Sequence, residues 1–234
     1  IMSTKRSKRY NEAAKLIAPG KTYAVEEAVE VMKSFPAPKF DPTVTVSFRL
    51  TVDPRKSDQM VRASVALPHG TGKNVRVIVF AQGEAAKAAL EAGAEKVGLE
   101  DLIKEIQDGF LDFDSAIATP DAMAQVRKIA RVLGPRGLMP NPKTGTVTDD
   151  PAKAVREVKA GRVEFRVDKN ANISAPVGKL SFEVDKLAEN VRSLINAVVK
   201  ARPSGAKGAS IAAVTIASSM NPGLPLSPVE FSRQ

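Results

Sequence analysis

Hydrophobic and polar residues alternate without a break over residues 43–52, where every even-numbered position is apolar and every odd-numbered position is polar or charged. Successive side chains of a strand point to opposite faces, so this stretch predicts a half-buried antiparallel strand. A polar loop follows over 53–59, and a second strand is predicted over 61–67. Before them, helical spacing of apolar residues predicts helices over 7–17 and 25–35.

The C-terminal part of the chain repeats this combination of short strands and amphipathic helix. Residues 162–167 and 172–177 alternate on either side of the polar turn 168–171, which predicts a hairpin. A helix is predicted over 185–201 and a last strand over 209–217. Each end of the chain is too short to bury much core alone, so the two ends are expected to pool their elements in one domain.

The middle of the chain has a different pattern. Residues 75–81 form an almost continuous apolar run, which is typical of a strand covered on both faces, and residues 115–118 form a second, shorter strand. Strands that alternate with helices are typical of βαβ units. The predicted helices are 84–92, 100–107, 120–133 and 151–159.

Together these patterns predict an α+β fold and a discontinuous protein of two domains. Residues 1–67 and 160–234 are expected to form a split antiparallel α/β domain. Residues 68–159 are expected to form an inserted Rossmann-like, three-layer α/β domain. Residues 221–234 predict a loosely ordered tail. Glycines at the two crossings predict a hinge; they are Gly70, Gly72 and Gly161.

Charge separates the same parts of the chain. The chain has 35 basic and 26 acidic residues, a net charge of +9. Residues 1–67 carry twelve basic and seven acidic groups, residues 160–234 carry ten and six, and the middle carries thirteen of each. Such an excess points to a polyanionic partner, most simply nucleic acid, although chance could also produce segment differences of a few charges. No apolar run is long enough for a membrane span, and no apolar segment follows the basic N-terminus as in a secretory signal.

The residues for most catalytic and metal chemistry are missing or poorly spaced. The chain has no cysteine, which excludes disulfides, thiolate metal sites and a cysteine nucleophile. The single histidine, His69, is interpreted as structural. Asp112 and Asp114 are close enough to share a cation, but no third carboxylate is suitably spaced, so a solvated turn is favoured. With no phosphate-binding glycine loop present, we predict no catalytic residue, no metal and no cofactor.

The most unusual stretch, residues 134–145, is rich in glycine and proline. It is either a rigid loop that presents Arg136 and Lys143 to an anion or partner, or an ordered connector whose glycines and prolines set the backbone.

Residues 133–143, LGPRGLMPNPK, resemble the signature of the family of the universal first protein of the large ribosomal subunit. Residues 53–59, 67–70 and 206–208 also resemble bacterial members, so the resemblance covers nearly the whole chain. It implies a non-enzymatic, cytoplasmic, monomeric ribosomal protein that grips large-subunit ribosomal RNA in the mobile stalk. It further implies a role in releasing tRNA from the exit site, and repression of its own operon through the messenger leader.

The resemblance also assigns RNA contacts, at the start of the first strand, at the turn of the predicted hairpin and after the last strand. These residues are Lys39, Phe40, Thr43, Asp168, Lys169, Ser219 and Met220. Loop residues Arg55 and Lys56 are weaker candidates. Short hydroxyls suit 2′-hydroxyl and backbone contacts on RNA, and apolar side chains beside them exclude water.

Arg162, Arg166 and Lys179 are candidates for phosphate contacts. Each basic residue could instead be a solvated charge, and Phe40 could be a core residue. The chain departs from the family pattern at Met60, Val167, Ala171, Ser174 and Asn221.

Two other functions are weighed. A nucleotide-dependent enzyme built on the middle domain would need a phosphate-binding glycine loop at the C-terminal end of a strand, and the sequence has none. A regulator that binds messenger RNA without residing on the ribosome would differ by not co-sedimenting with the large subunit.

Overall fold

A computed structural model describes residues 6–56, 59–202 and 211–229 of the chain. Within them the helices are α1 (Lys8–Lys15), α2 (Val25–Lys33), α3 (Gly83–Glu91), α4 (Glu100–Gln107), α5 (Met123–Val126), α6 (Ala130–Leu133), α7 (Pro151–Lys159) and α8 (Val184–Lys200). The strands are β1 (Thr43–Leu50), β2 (Arg62–Ala66), β3 (Val77–Phe80), β4 (Lys96–Gly98), β5 (Ser115–Ala118), β6 (Arg162–Arg166), β7 (Asn172–Lys179), β8 (Ile211–Ser218) and β9 (Leu224–Pro225).

The chain divides into two compact units, which we call unit 1 (residues 1–72 and 163–234) and unit 2 (residues 73–162). The fold as a whole is mixed α/β, with several sheets and helices. Within the described residues, every helix is too short or too polar to span a bilayer.

Unit 1 is built around a four-stranded sheet in the order β7-β1-β8-β9. The central strand β1 runs antiparallel to both β7 and β8. The alternation predicted for β1 is confirmed, because Val44, Val46, Phe48 and Leu50 are all buried in one apolar cluster. Apolar residues of α2 and α8 belong to the same cluster, so the helices cover the apolar face of the sheet.

The predicted hairpin between β6 and β7 is wrong, because β6 pairs with β2 and β7 pairs with β1. The turn itself is tight, with a hydrogen bond of 2.8 Å from Asp168 N to Asn172 O. Ala171 adopts a φ of 60°, and its carbonyl accepts a hydrogen bond from Leu50 N at 2.8 Å. The left-handed residue directs the chain onto β1, where seven of the eight residues of β7 pair with the larger sheet.

The predicted loose tail is also wrong for the part that the structure describes. Leu224 in β9 pairs with Ile216 of β8, and Leu226 forms a bridge with Tyr23. Both leucines are buried. Their side chains complete the core of unit 1, a role that the neighbouring prolines and glycine obscured. Residues 230–234 of this tail, and the first two residues of the predicted last strand, lie outside the described residues.

Unit 2 contains a three-stranded parallel sheet in the order β4-β3-β5. All four residues of β3 are buried, as the apolar run predicted. Val77 and Val79 pack in a cluster with residues of α3 and α7, whereas Ile78 and Phe80 pack in another with residues of α4, α5 and α6. Apolar clusters therefore cover both faces of this sheet.

Two local predictions for unit 2 need correction. Strand β4 is missing from the sequence analysis, because three residues are too few to show a period. The single helix predicted over 120–133 is instead α5, a 3-10 turn over Arg127–Ile129, and α6. Ile129, with φ −101° and ψ 10°, departs from α geometry and separates the two helices.

Candidate nucleic-acid interface

One end of the unit 1 sheet brings together polar candidates from three different parts of the sequence. Thr43 at the start of β1 lies opposite Lys179 of β7, and Ser219 follows the end of β8. Lys179 Nζ donates a hydrogen bond of 3.0 Å to Thr43 Oγ1. The Thr43 carbonyl accepts hydrogen bonds from Ser219 N at 3.0 Å and from Ser219 Oγ at 3.3 Å. We call this group, with the adjacent Phe40 and Met220, the strand-end site.

Two large apolar side chains of the strand-end site are exposed. Phe40 is 51 % exposed and Met220 is 71 % exposed. The alternative interpretation of Phe40 as a core residue is therefore wrong. Apolar side chains with this exposure, next to hydroxyls and an ammonium group, provide a surface that could cover sugar or base faces. Lys39 is also exposed beside Phe40.

The position of Met220 depends on a contact that the sequence did not indicate. Met220 adopts a left-handed φ of 64°, which is uncommon for a residue other than glycine. Its carbonyl accepts a hydrogen bond of 3.3 Å from Nη2 of Arg9 in α1, and Asn221 N donates to Ser218 O at 3.1 Å. Since 211 residues separate Arg9 from Met220, no local pattern could have predicted this support.

Asp41 holds the end of β7 against the start of β1. Its carboxylate accepts hydrogen bonds from Ser181 Oγ at 2.8 Å and Ser181 N at 3.3 Å. Its carbonyl accepts a longer one, 3.4 Å, from Lys179 Nζ. Asp41 therefore helps to orient the lysine, although the sequence analysis did not single it out.

The turn at Asp168 and Lys169 lies at the opposite end of β1. The hydrogen bond from Leu50 to Ala171 marks that end, whereas Thr43 marks the other. A strand rises about 3.4 Å per residue, so the eight residues of β1 separate the two ends by about 24 Å. The structure thus does not bring this turn into the strand-end site.

Asp168 has a clear structural role in its turn. Its carboxylate accepts hydrogen bonds of 2.8 Å from the backbone N–H groups of Asn170 and Asn172. These hydrogen bonds, first of all the one from Asn172, lower the pKa of Asp168 below its ordinary value. Lys169 is exposed in the same turn.

Arg55 and Lys56 lie in the loop after β1, beyond its Leu50 end, and both are exposed. The Asp53 carboxylate accepts a hydrogen bond from Arg55 N at 3.1 Å, and Gln59 Oε1 accepts one from Asp53 N at 2.8 Å. The loop is therefore locally organised but remote from Thr43 along the sheet.

The two arginines of β6 differ in their surroundings. Arg166 is exposed. Arg162 belongs to unit 2 and forms an ion pair of 2.6 Å with Glu157, so its charge already has a partner.

The glycines at the crossings all have positive φ, 64° at Gly70, 68° at Gly72 and 106° at Gly161. In unit 1 the crossing segment is held by Asn190 of α8, whose side chain is fully buried. Asn190 Nδ2 donates to Gly70 O at 2.9 Å and to Val177 O at 2.8 Å, and its Oδ1 accepts from His69 N at 3.1 Å. Sequence reasoning missed Asn190, although an asparagine within the apolar stripe of α8 was a signal.

The acidic pair considered as a cation site is engaged by basic residues. Asp112 forms an ion pair with Arg76, and Asp114 accepts a hydrogen bond of 2.6 Å from Lys73 Nζ. Hydrogen bonding from Lys73, and secondarily from Arg76, lowers the pKa of Asp114 despite some opposing burial. His69 is paired through Nε2 with Glu189 at 2.5 Å.

Comparison with known proteins identifies the family. Residues 32–222 match the model of the ribosomal protein L1p/L10e family. The large ribosomal subunit protein uL1 of Saccharopolyspora erythraea is 57% identical over 224 residues, which cover 96% of this chain and 94% of that protein. The protein of the same name from Bifidobacterium longum is 54% identical over 224 residues, 96% of this chain and 97% of that protein.

The match covers most of the chain, and these relatives are similar along nearly their whole length. Because the family consists of ribosomal structural proteins, the chain is a structural protein and not an enzyme. The chain belongs to the ribosomal protein L1p/L10e family.

Proposed function

We propose that this chain is a structural constituent of the large ribosomal subunit that binds large-subunit ribosomal RNA through the strand-end site. The RNA-binding domain is the split antiparallel domain of residues 1–67 and 160–234, and residues 68–159 are its Rossmann-like insertion. The basic excess of the terminal segments supports the RNA-binding domain. The parallel sheet covered on both faces supports the Rossmann-like insertion.

The observation that carries the proposal is the arrangement at the strand-end site. Thr43 contacts both Lys179 and Ser219 at the end of three neighbouring strands, and exposed Phe40 and Met220 lie next to them in the sequence. A hydroxyl can donate and accept, which matches the 2′-hydroxyl of RNA. The ammonium group of Lys179 lies where it can pair with a phosphate. The large apolar side chains exclude water, so each polar contact gains strength.

The connection between the two units supports a role in the mobile stalk and in release of tRNA from the exit site. Two compact units joined through positive-φ glycines give the chain the elements of a hinge at Gly70, Gly72 and Gly161. A messenger leader that presents the same RNA shape would compete with ribosomal RNA for the strand-end site. Binding of the leader would then repress translation of the operon. Co-sedimentation with large subunits separates this function from that of a free messenger-binding regulator.

The test is Thr43→Val in the full chain, measured by binding to a large-subunit stalk RNA fragment at fixed salt. Valine keeps the shape of threonine but removes the hydroxyl, and an unpaired buried hydrogen-bonding group costs about 1–3 kcal/mol. At about 1.4 kcal/mol per decade, we expect binding to weaken about ten-fold.

The matched control is Thr51→Val, which removes the same hydroxyl just beyond the other end of β1. We expect it to leave RNA affinity within about two-fold, since that end lies outside the strand-end site. Thermal unfolding of both variants separates lost affinity from lost stability. Equal loss of binding in the two variants, or a loss only in Thr51→Val, would place the RNA elsewhere.

A further inference from the structure

Unit 2 is almost neutral as a whole, but its charges are distributed very unevenly. Residues 122–148 contain five basic residues and no acidic residue, whereas the rest of unit 2 contains nine basic and thirteen acidic residues. The segment also contains no Phe, Tyr or Trp. A net charge calculated for the whole unit conceals this concentration.

Four of these basic residues form what we call the cationic cluster: Arg127, Lys128, Arg131 and Arg136. The first two lie in the 3-10 turn between α5 and α6, and Arg131 lies in α6 about one helical turn further on. Val126, Ile129 and Leu133 of the same segment are almost completely buried. Because the apolar side faces the core of unit 2, the three cations of this helical segment lie on the opposite side, and Arg136 in the following turn is exposed as they are.

The cationic cluster has no internal counter-charge. None of its four side chains makes a hydrogen bond or an ion pair with any residue that the structure describes. Four other cations of unit 2 do, in the pairs Lys73–Asp114, Arg76–Asp112, Lys96–Glu105 and Arg162–Glu157. Like charges at this spacing repel one another, so a polyanion that binds across them gains from all four.

The backbone that carries Arg136 is fixed against α6. Gly134 N donates to Ala130 O at 2.8 Å, and Gly137 N donates to Gly134 O at 3.0 Å. A Cβ on Gly134 would lie 2.7 Å from Ala130 O, so the close approach requires glycine. A side chain held on an ordered turn loses less backbone entropy on binding than one on a mobile loop. This favours the interpretation of residues 134–145 as a loop that presents Arg136.

We propose that the cationic cluster is a second RNA-contacting surface, one that binds the phosphates of a double-helical RNA segment. This inference rests on the proposed function, since it adds a contact to a chain that already binds RNA at the strand-end site. Duplex RNA presents phosphates and sugars, which cations can pair without aromatic stacking. A single strand would favour exposed aromatic rings, and an acidic protein partner would favour an exposed apolar anchor. Residues 122–148 contain no aromatic residue, and none of the large exposed apolar side chains of the described residues lies among them.

The experiment uses the full chain with Arg127→Gln, Lys128→Gln and Arg131→Gln combined. The probe is a 16-base-pair RNA duplex of mixed sequence, titrated at several salt concentrations. Each lost phosphate contact should reduce the slope of log K against log salt by about 0.7–0.9, so we expect a reduction of about two. At 0.1 M salt the affinity should fall about ten-fold or more.

The control combines Lys87→Gln, Lys104→Gln and Lys153→Gln, three exposed cations of α3, α4 and α7. This variant has the same net charge as the cluster variant. We expect its slope of log K against log salt to change by less than the loss of one phosphate contact would produce. A second variant, Arg127→Lys with Arg131→Lys, should keep most of the wild-type slope. Thermal unfolding must be unchanged in all three.

Equal loss of duplex binding in the cluster variant and the control would overturn the proposal, because the effect would then be general charge. Competition by polyglutamate as effective as that by unlabelled duplex would also overturn it. Failure of the strand-end site gives a different result: Thr43→Val would then bind stalk RNA like the wild type, while the cluster variant still loses duplex binding.

Discussion

The two units bury apolar surface in different ways, and the difference determines where each of them exposes polar groups. Unit 1 covers one face of an antiparallel sheet, so polar residues of β1 and the strand ends remain available. Unit 2 covers both faces of a parallel sheet, so its polar groups lie on helices and loops. Unit 1 carries twenty-one basic and thirteen acidic residues, and unit 2 carries fourteen and thirteen. Net charge therefore indicates unit 1, which contains the proposed strand-end site, whereas the cationic cluster of unit 2 is visible only from the position of each charge.

The largest expected effect comes from separating the units. The buried cluster of unit 1 contains no residue of 73–162 among those described, so unit 1 has a core of its own. We expect a chain in which a Gly-Ser linker replaces 73–162 to bind stalk RNA within about ten-fold of the wild type, because it loses the phosphate contacts of the cationic cluster but keeps the strand-end site. Isolated 73–162 should bind about 100-fold more weakly or worse, because it lacks the specific contacts. Filter binding measures both; comparable affinities of the two pieces would refute the division of roles.

A pair of core substitutions tests whether stability divides in the same way. Phe48 in β1 and Phe80 in β3 are both almost fully buried. Phe→Ala in a core costs about 3–5 kcal/mol. We expect Phe48→Ala to increase amide exchange in unit 1 and to reduce RNA binding. Phe80→Ala should increase exchange in unit 2 and leave binding to stalk RNA nearly unchanged. Exchange that rises throughout the chain in both variants would show that the units unfold together.

Exposed apolar residues offer a smaller test. Phe40 at the strand-end site and Leu90 in α3 of unit 2 are exposed to a similar extent, 51 % and 53 %. Stacking of an aromatic ring on a base is worth about 1–3 kcal/mol, so Phe40→Ala should weaken RNA binding about five-fold or more. Leu90→Ala should not weaken it. Fluorescence anisotropy with labelled stalk RNA compares the two variants, and identical affinities would remove Phe40 from the site.

The smallest expected effect concerns the stability of unit 2 at acidic pH. Because Lys73 and Arg76 lower the pKa of Asp114, this carboxylate stabilises folded unit 2 above its unfolded pKa, and the contribution is lost as the pH falls through the folded pKa. We expect Asp114→Asn to lower the stability of unit 2 at neutral pH and to flatten its loss of stability below about pH 4. Urea unfolding followed by amide exchange at several pH values measures this. A variant as pH-sensitive as the wild type would show that Asp114 is not responsible.

The periodicity of apolar residues predicted the elements that bury one regular face. It failed where contacts with residues distant in the sequence determine strand pairing or burial. The alternation of β1 predicted its buried face correctly, because each apolar residue points into one core. The partner of β7 could not be predicted from the turn at Asp168, since pairing with β1 depends on a strand more than 100 residues away. The burial of Leu224 and Leu226 was not predicted for the same reason, because it depends on pairing with β8 and with Tyr23.

For the candidate site, the resemblance supplied residue types, but only the structure supplied their grouping. Thr43, Lys179 and Ser219 meet because β1 lies between β7 and β8. Arg55, Lys56, Asp168 and Lys169 lie toward the other end of the same strand. The supports, Arg9 and Asp41, act through side-chain contacts that no spacing rule encodes.

The outer strands of the unit 1 sheet are β7 and β9, and each contains a proline, Pro176 and Pro225. Proline has no N–H to donate, so Pro176 prevents a continuous ladder along β7. The outer side of β9 is already occupied, because Tyr23 N donates to Pro225 O at 3.0 Å and Tyr23 forms a bridge with Leu226. An unguarded edge beside an open polar face would invite chains to join edge to edge into aggregates. Both edges of the unit 1 sheet therefore disfavour edge-to-edge joining of two copies of the chain.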